Sequence, residues 1–286
     1  MERTIEKASI LIEALPYIKR FSGKIVVVKY GGSAMTDDSM KERVIQDIVL
    51  MKLVGMKPVI IHGGGNAITS MLKRLGKQSS FVKGLRVTDQ ETAEIAEMVL
   101  SGSINKHLVQ QIQNHGISAV GINGKDGNTL VAQKKLVDGE DVGFVGTVTE
   151  VNAALITSLI EHDFIPVIAP VGTDSKGNTY NINADYAAAS IAGKLRAEKL
   201  VFLTDVEGIL KDVNDPSTII RRLTVSQAQA YIKDGVISGG MIPKTLCCIQ
   251  GIQEGVKTVH ILDGRIDHSM LLEVYTDHGI GTMITP

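Results

Sequence analysis

The sequence predicts an α/β fold built on a mainly parallel sheet. Short β-branched apolar runs recur along the chain, several of them apolar on both faces, and segments with helical spacing lie between them. The 286 residues correspond to roughly two compact units at about 150 residues each. An apolar fraction of 44% with 21% charged residues is globular composition and excludes a disordered or collagenous chain.

The elements follow in order. Ile5, Ala8, Leu11, Ile12, Leu15 and Ile18 form an amphipathic stretch that Pro16 is expected to end or kink. A sheet needs no element before its first strand, so this helix either packs on its own core or contacts another subunit. Residues 25–28 are the first strand; they run into Gly31 and Gly32 and then a helix from about Asp38, with Met40, Val44, Ile48 and Met51 on one face. Residues 58–61 repeat the design, running into Gly63, Gly64 and Gly65 and a helix through Met71 and Leu72. Ile95, Met98 and Val99 mark a further helix. Residues 118–122, 165–168, 200–203 and 258–262 complete the strands, and 123–146 reads as a hairpin insertion. Capping-box spacing places helix starts at Thr88 with Glu91, Thr147 with Glu150 and Thr224 with Gln227. An alanine-rich helix covers 186–193, and a boundary between two lobes falls near residue 195.

Thirty basic residues against 31 acidic ones create no global field to recruit nucleic acid or an anionic membrane. The two cysteines, Cys247 and Cys248, are adjacent, which supports neither a disulfide framework nor a zinc knuckle. With no long apolar run and an acid-containing start, the expectation is a soluble, cytoplasmic protein without a leader. Of four Gly-Lys pairs, at 23–24, 76–77, 124–125 and 193–194, none precedes Ser or Thr, so a P-loop is excluded. GxGxxG after a strand, GxSxG and HExxH are missing too, and the histidines show no ligand spacing, so no metal site is expected.

What remains is glycine-rich and basic. Two glycine clusters, each between an apolar strand and a helix, suit an anion: bare backbone N–H groups approach it and the helix presents its positive end. Tight turns alone explain one cluster better than two. Lys29 ends a strand directly against Gly31; it is either a snorkelling strand-end lysine or a partner for that anion. Lys244 lies in the first turn of a helix opened by Gly239 and Gly240, where a cation is electrostatically misplaced unless an anion is near. Arg86 is either an ordinary surface arginine or a bidentate clamp for a carboxylate. Asn181, Asn183 and Asp185 are turn and cap residues, or Asp185 orients two lysines. Asp205 and Gly208 follow a strand, where a turn or a nucleotide fits.

Together, KYGGSAM at 29–35, HGGGNAI at 62–68, GLRVTD at 84–89, NINADYAA at 181–188, TDVEGIL at 204–210 and GGMIPK at 239–244 resemble the amino acid kinase family. Within it, the resemblance is to the branch acting on N-acetyl-L-glutamate, and it runs over essentially the whole chain. It implies a three-layer αβα sandwich in two lobes: residues 23–195 bind the acetylated amino acid and dimerise, and 196–286 bind ATP, which brings Mg2+. The implied reaction moves the γ-phosphoryl group onto the side-chain carboxylate. By resemblance, Lys29, Lys244 and Gly32 act on the transferring group and Asp185 organises the lysines. Gly64, Gly65, Arg86, Asn181 and Asn183 then hold the substrate, and Gly31, Asp205 and Gly208 the nucleotide. The N-terminal helix, 1–22, and the C-terminal tail resemble an arginine-inhibited group in which that helix joins dimers into a hexamer, a trimer of dimers. Tyr17, Lys211, His268, Glu273 and Gly279 are then candidate arginine contacts. The competing expectations are a kinase for a longer homologue such as aminoadipate and a non-catalytic sensor of nucleotide or arginine.

Overall fold

The computed structural model describes residues 2–32, 37–276 and 279–286. Ser33, Ala34 and Met35 of the first glycine motif lie outside the described residues, as do the side chains of Ile5, Ala8 and Leu11. Helix α1 (Glu2–Phe21) precedes strand β1 (Ile25–Tyr30), α2 (Asp38–Leu53), β2 (Lys57–His62) and α3 (Gly65–Arg74). A short pair, β3 (Phe81–Val82) and β4 (Leu85–Arg86), leads to α4 (Gln90–Glu97), a π-helical stretch Met98–Ile104, α5 (Asn105–Asn114) and β5 (Ala119–Asn123). The hairpin β6 (Leu130–Val137) and β7 (Glu140–Val151) follows, then α6 (Ala154–Glu161), β8 (Ile165–Ala169), β9 (Val171–Thr173), β10 (Thr179–Ile182) and α7 (Ala184–Lys194). The last third holds β11 (Lys199–Thr204), β12 (Arg222–Thr224), α8 (Val225–Lys233), α9 (Met241–Gln253), β13 (Thr258–Asp263), α10 (Ser269–Val274) and β14 (Thr282–Thr285).

Eight strands form one sheet in the order β12-β14-β13-β11-β1-β2-β8-β5. All neighbours are parallel except β13 and β14. Successive side chains of a strand point to opposite faces, and both faces are covered. Val27, Val59 and Phe202 face a cluster with α6, α7 and α9, whereas Val26, Val28 and Val201 face one with α2, α5 and α10. This is the expected three-layer αβα arrangement. Strands from before residue 195 occupy one half of the sheet and later strands the other; the halves meet where β1 pairs with β11. A second ring of strands, β10-β7-β6-β9, caps one side.

Three local expectations need correction. Pro16 does not end α1, which continues to Phe21; burial of the Phe21 ring in the core anchors the last turn against one missing hydrogen bond. Thr147 and Glu150 start no helix but lie within β7, where Thr147 pairs with Gln133. Strand pairing over the full hairpin outweighs a four-residue capping pattern. The α4 cap is Asp89, one residue beyond Thr88: its carboxylate accepts from the Thr92 N–H, while the Thr88 hydroxyl donates to the Arg86 carbonyl. The capping box of Thr224 and Gln227 is present. Met98 is exposed because it lies one turn after the exposed Glu94 on the solvent face, opposite the buried Ile95, Ala96, Val99 and Leu100.

Candidate active site

Strands β1 and β2 run in register, Tyr30 beside His62, so their glycine turns lie side by side. The Gly63 N–H donates to the Tyr30 carbonyl at 2.7 Å. A Cβ at Gly31 or Gly63 would sit 3.5 Å from the other residue's Cα, and one at Gly31 would also reach 3.0 Å from the Lys29 Nζ. The ammonium therefore folds back over the first turn. At Gly64 a Cβ would come within 2.4 Å of Ile104 Cδ1 and 2.5 Å of Leu100 Cδ2, so the π-helical stretch closes directly on the second turn. Helix α3 starts at Gly65 with no acid in its first turn, leaving its positive end open to an anion.

Lys29 lies beside Phe202 across β1 and β11. Asp185 is in the first turn of α7, where Asn183 caps the helix by accepting from the Asp185 N–H at 2.9 Å. Lys244 is in the first turn of α9, its ammonium 5.9 Å from the centre of the Phe202 ring. The three side chains converge: Lys29 Nζ lies 2.9 Å from Asp185 Oδ1, and Lys244 Nζ donates to Oδ2 at 3.1 Å. The Lys29 contact is an ion pair without hydrogen-bond alignment, since Oδ1 has no directed donor. Burial alone would raise the Asp185 carboxyl, but the Lys29 and Lys244 charges outweigh it and hold it below the usual range. Two cations on one carboxylate leave one positive charge in excess, beside glycine N–H groups and a helix start. That arrangement suits an anionic group.

Next to it, Gly64, Gly65, Arg86, Asn181 and Asn183 line a cavity of about 170 Å³. The Arg86 guanidinium is buried and donates to Ser79 Oγ at 2.6 Å and to the Gly65 carbonyl and Thr69 Oγ1 at 2.8 Å each. It stacks 4.7 Å over the Phe81 ring, and burial pulls its pKa down. Among the described residues it has no carboxylate partner. A buried, uncompensated guanidinium in a cavity calls for an anionic ligand. Asn181 donates only weakly, to Thr88 Oγ1 at 3.4 Å.

Asp205 is exposed at the end of β11 and accepts from the Thr204 hydroxyl at 3.2 Å. Gly208 is buried against β14: at φ +152° a Cβ there would sit 2.6 Å from Thr282 Oγ1, so packing by itself requires glycine. Of the candidate arginine contacts, Tyr17, Glu273 and Gly279 line one cavity of about 440 Å³ behind α1. His268 and Lys211 do not join them. The His268 ring contacts Asp47 Oδ1 at 2.6 Å, and Lys211 is exposed in a turn held to Thr218. Sequence reasoning missed the other charged and imidazole residues of this cavity, Arg20, Glu198, Lys199, Arg221, Arg222 and His260; Lys199 and His260 are the buried ones. His260 Nδ1 lies 2.7 Å from Glu273 Oε1, and its Nε2 lies 3.1 Å from Lys199 Nζ. For those two the signal was a charged and an imidazole side chain in otherwise apolar strands. Cys247 and Cys248 are unbridged and buried in α9, and burial pushes the Cys247 thiol up to about 12.

Residues 24–263 match the family described as the amino acid kinase family. The acetylglutamate kinase of Heliobacterium modesticaldum is 55% identical over 99% of this chain and 99% of its own length. N-acetylglutamate synthase from Neisseria gonorrhoeae, complexed with coenzyme A and N-acetyl-glutamate, superposes with a TM-score of 0.85 at 27% identity. The match covers 98% of this chain and 63% of the synthase. Complexed with coenzyme A and L-arginine, the same enzyme gives a TM-score of 0.82 at 26% identity, over 97% of this chain and 65% of the synthase. The chain thus spans less than two thirds of the length of that structural neighbour.

Proposed function

We propose that this chain, which belongs to the amino acid kinase family, phosphorylates the side-chain carboxylate of N-acetyl-L-glutamate with ATP. The products are N-acetyl-L-glutamyl 5-phosphate and ADP, a step of arginine biosynthesis. The observation that carries the reading is the convergence of Lys29 and Lys244 on Asp185 beside two glycine turns. A carboxylate nucleophile with an ordinary pKa near 4.3 is already ionised at neutral pH, so the reaction needs no general base. Catalysis reduces to positioning and to neutralising phosphoryl oxygens. Lys29 and Lys244 supply the charge, Asp185 holds both ammoniums in place, and the Gly31 and Gly32 N–H groups support the transferring group.

Arg86 takes the acceptor's carboxylate, with Gly64, Gly65, Asn181 and Asn183 around it; Asn183 does so while capping α7. Asp205 and the turn at Gly208 border the nucleotide. Mg2+ enters on the ATP phosphates, since it keeps several waters and needs few protein ligands. Both oxygens of Asp185 face ammoniums, so that carboxylate serves the lysines and not the ion. The two halves of the sheet act as lobes, 23–195 for the acceptor and dimer contact and 196–286 for ATP. Unbridged buried cysteines suit a reducing cytoplasm. Hydroxylamine trapping of acyl phosphate tests the reading, with N-acetylglutamate, glutamate, aspartate and N-acetyl-aminoadipate as acceptors. Hydroxamate from N-acetylglutamate alone is expected. Signal from aminoadipate alone overturns the substrate, and no signal from any acid favours the sensor.

Feedback inhibition by arginine belongs to the same reading. The cavity behind α1 has Glu198 and Glu273 to face a guanidinium and ammonium, and Arg20, Lys199, Arg221 and Arg222 to face a carboxylate. The arginine complex of the structural neighbour supports it. Burial brings the Lys199 ammonium down to about 8, so its charge is lost as pH rises through that value. Arginine inhibition is therefore expected to weaken between about pH 7 and 9, and titrations at both ends check it; equal potency removes Lys199 from the site.

Among its described side chains, helix α1 exposes Ile10, Ile12 and Leu15 and buries Phe21. That profile fits a subunit contact joining dimers into a hexamer. Deleting residues 1–20 is expected to leave turnover intact, reduce the hexamer to dimers and raise the arginine concentration needed for inhibition. Native mass spectrometry showing an unchanged hexamer refutes the contact.

A further inference from the structure

Beneath the second glycine turn lies a polar chain that the phosphoryl chemistry does not use. His62 and Asn105 are both fully buried among apolar neighbours. His62 Nδ1 is 2.9 Å from the Gly63 carbonyl oxygen, and its Nε2 is 3.2 Å from Asn105 Nδ2. A carbonyl only accepts, so the ring carries its proton on Nδ1, and the bare Nε2 accepts from the asparagine. The Asn105 amide also reaches the Val167 carbonyl at 2.9 Å and the Ile122 carbonyl at 3.3 Å. On its other side, Asn105 Oδ1 accepts from Lys106 Nζ at 3.2 Å, and that ammonium donates to the Gly121 carbonyl at 2.7 Å. Asn105 follows immediately on the π-helical stretch, whose Leu100 and Ile104 close on Gly64. The π-helical stretch supplies the apolar lid of the turn, and the first residue of α5 directly after it anchors the imidazole.

An apolar side chain would fill this position without the cost of burying an imidazole. What the imidazole adds is a fixed orientation for one peptide. In a trans peptide the carbonyl and the following N–H point in opposite directions, so holding the Gly63 carbonyl turns the Gly64 N–H away from the ring. Gly64 lines the Arg86 cavity. We propose that His62, oriented by Asn105, is a positioning residue for the acceptor substrate, holding the Gly64 N–H toward the carboxylate-binding cavity. The proposal rests on the functional reading above.

Steady-state kinetics with N-acetylglutamate and ATP test it on wild type, His62→Gln and His62→Asn. The asparagine amide lies near Nδ1 and keeps a donor to Gly63, whereas the glutamine amide reaches the Nε2 position and loses it. In His62→Gln the Michaelis constant for N-acetylglutamate is expected to rise about tenfold or more, the loss of one hydrogen bond to a charged group. The constant for ATP stays unchanged, and His62→Asn restores most of the difference. Unchanged acceptor constants in both variants overturn the proposal, as does an equal rise for both substrates accompanied by a lower melting temperature, which marks a merely structural role. If the variants do not fold, 15N-histidine spectra of the wild type decide: a neutral ring protonated on Nδ1 is expected, and a proton on Nε2 overturns the proposal. A wild type inactive with N-acetylglutamate but active with another acid removes the functional reading first, and the acceptor constant then applies to that acid.

Discussion

Lys29→Ala and Lys244→Ala are each expected to lower kcat by about two to three powers of ten, the effect of removing one preorganised charge from a transition state. The Michaelis constants for ATP and acceptor should move little by comparison. Charge builds on the phosphoryl oxygens only as transfer proceeds, so an ammonium aimed at them is worth more in the transition state than in the ground state. Both ammoniums are already held, at 2.9 and 3.1 Å from a carboxylate in a nearly buried setting, so neither has to be immobilised during the reaction. Steady-state kinetics check this directly. Normal turnover in either variant removes that lysine from the reaction, and a rise in Michaelis constant at unchanged kcat makes it a binding residue only.

Asp185→Asn is expected to damage both turnover and stability. The side chain is 17% exposed and is the carboxylate between two ammoniums that are 11% and 16% exposed. Removing its charge leaves two neighbouring cations facing each other in a poorly solvated place. Breaking such a pair costs about 3–5 kcal/mol when fully buried, and the residual solvent contact puts this case toward the lower end. The lysines then swing apart, and a fall in kcat of about 100-fold or more follows from lost preorganisation. Thermal melting beside kinetics separates the two effects. An unchanged melting temperature with wild-type kcat would mean that the lysines hold their places without Asp185.

The Asp185 carboxyl is held low in the folded protein, so its contribution to stability is present above the unfolded carboxyl pKa. It is lost as the pH falls through the depressed folded value. In Asp185→Asn the acid limb of the stability profile should flatten over that range.

The strands were legible because a sheet covered on both faces needs apolar residues at successive positions, and residues 25–28, 58–61, 165–168 and 200–203 supply them. The glycine turns and the lysines were legible for a related reason: a lysine against two glycines, or in the first turn of a helix, conflicts with its local setting until an anion is supplied. Thr147 and Glu150 misled because four residues of capping pattern say nothing about the partner strand that claims them. Pro16 as a helix end misled because a penalty of one lost hydrogen bond was weighed without the burial of Phe21. Lys211 and His268 were placed by resemblance alone, and no pattern along the chain could reveal that His260 and Lys199, 61 residues apart, share one cavity.

The amino-acid sequence by itself determined the alternation of strand and helix, the two glycine turns and the basic residues beside them. Each of these is a local property, set by side-chain shape, period and charge within a few residues. Only the tertiary structure decided that Lys29 from β1 and Lys244 from α9 meet on Asp185, that Arg86 is buried with no counter-ion among the described residues, and that Asn105 stands under His62. Those contacts join residues 43 to 156 positions apart in the chain. They exist because parallel strands place the ends of distant segments side by side, and burial then makes each charge or polar group find its partner there.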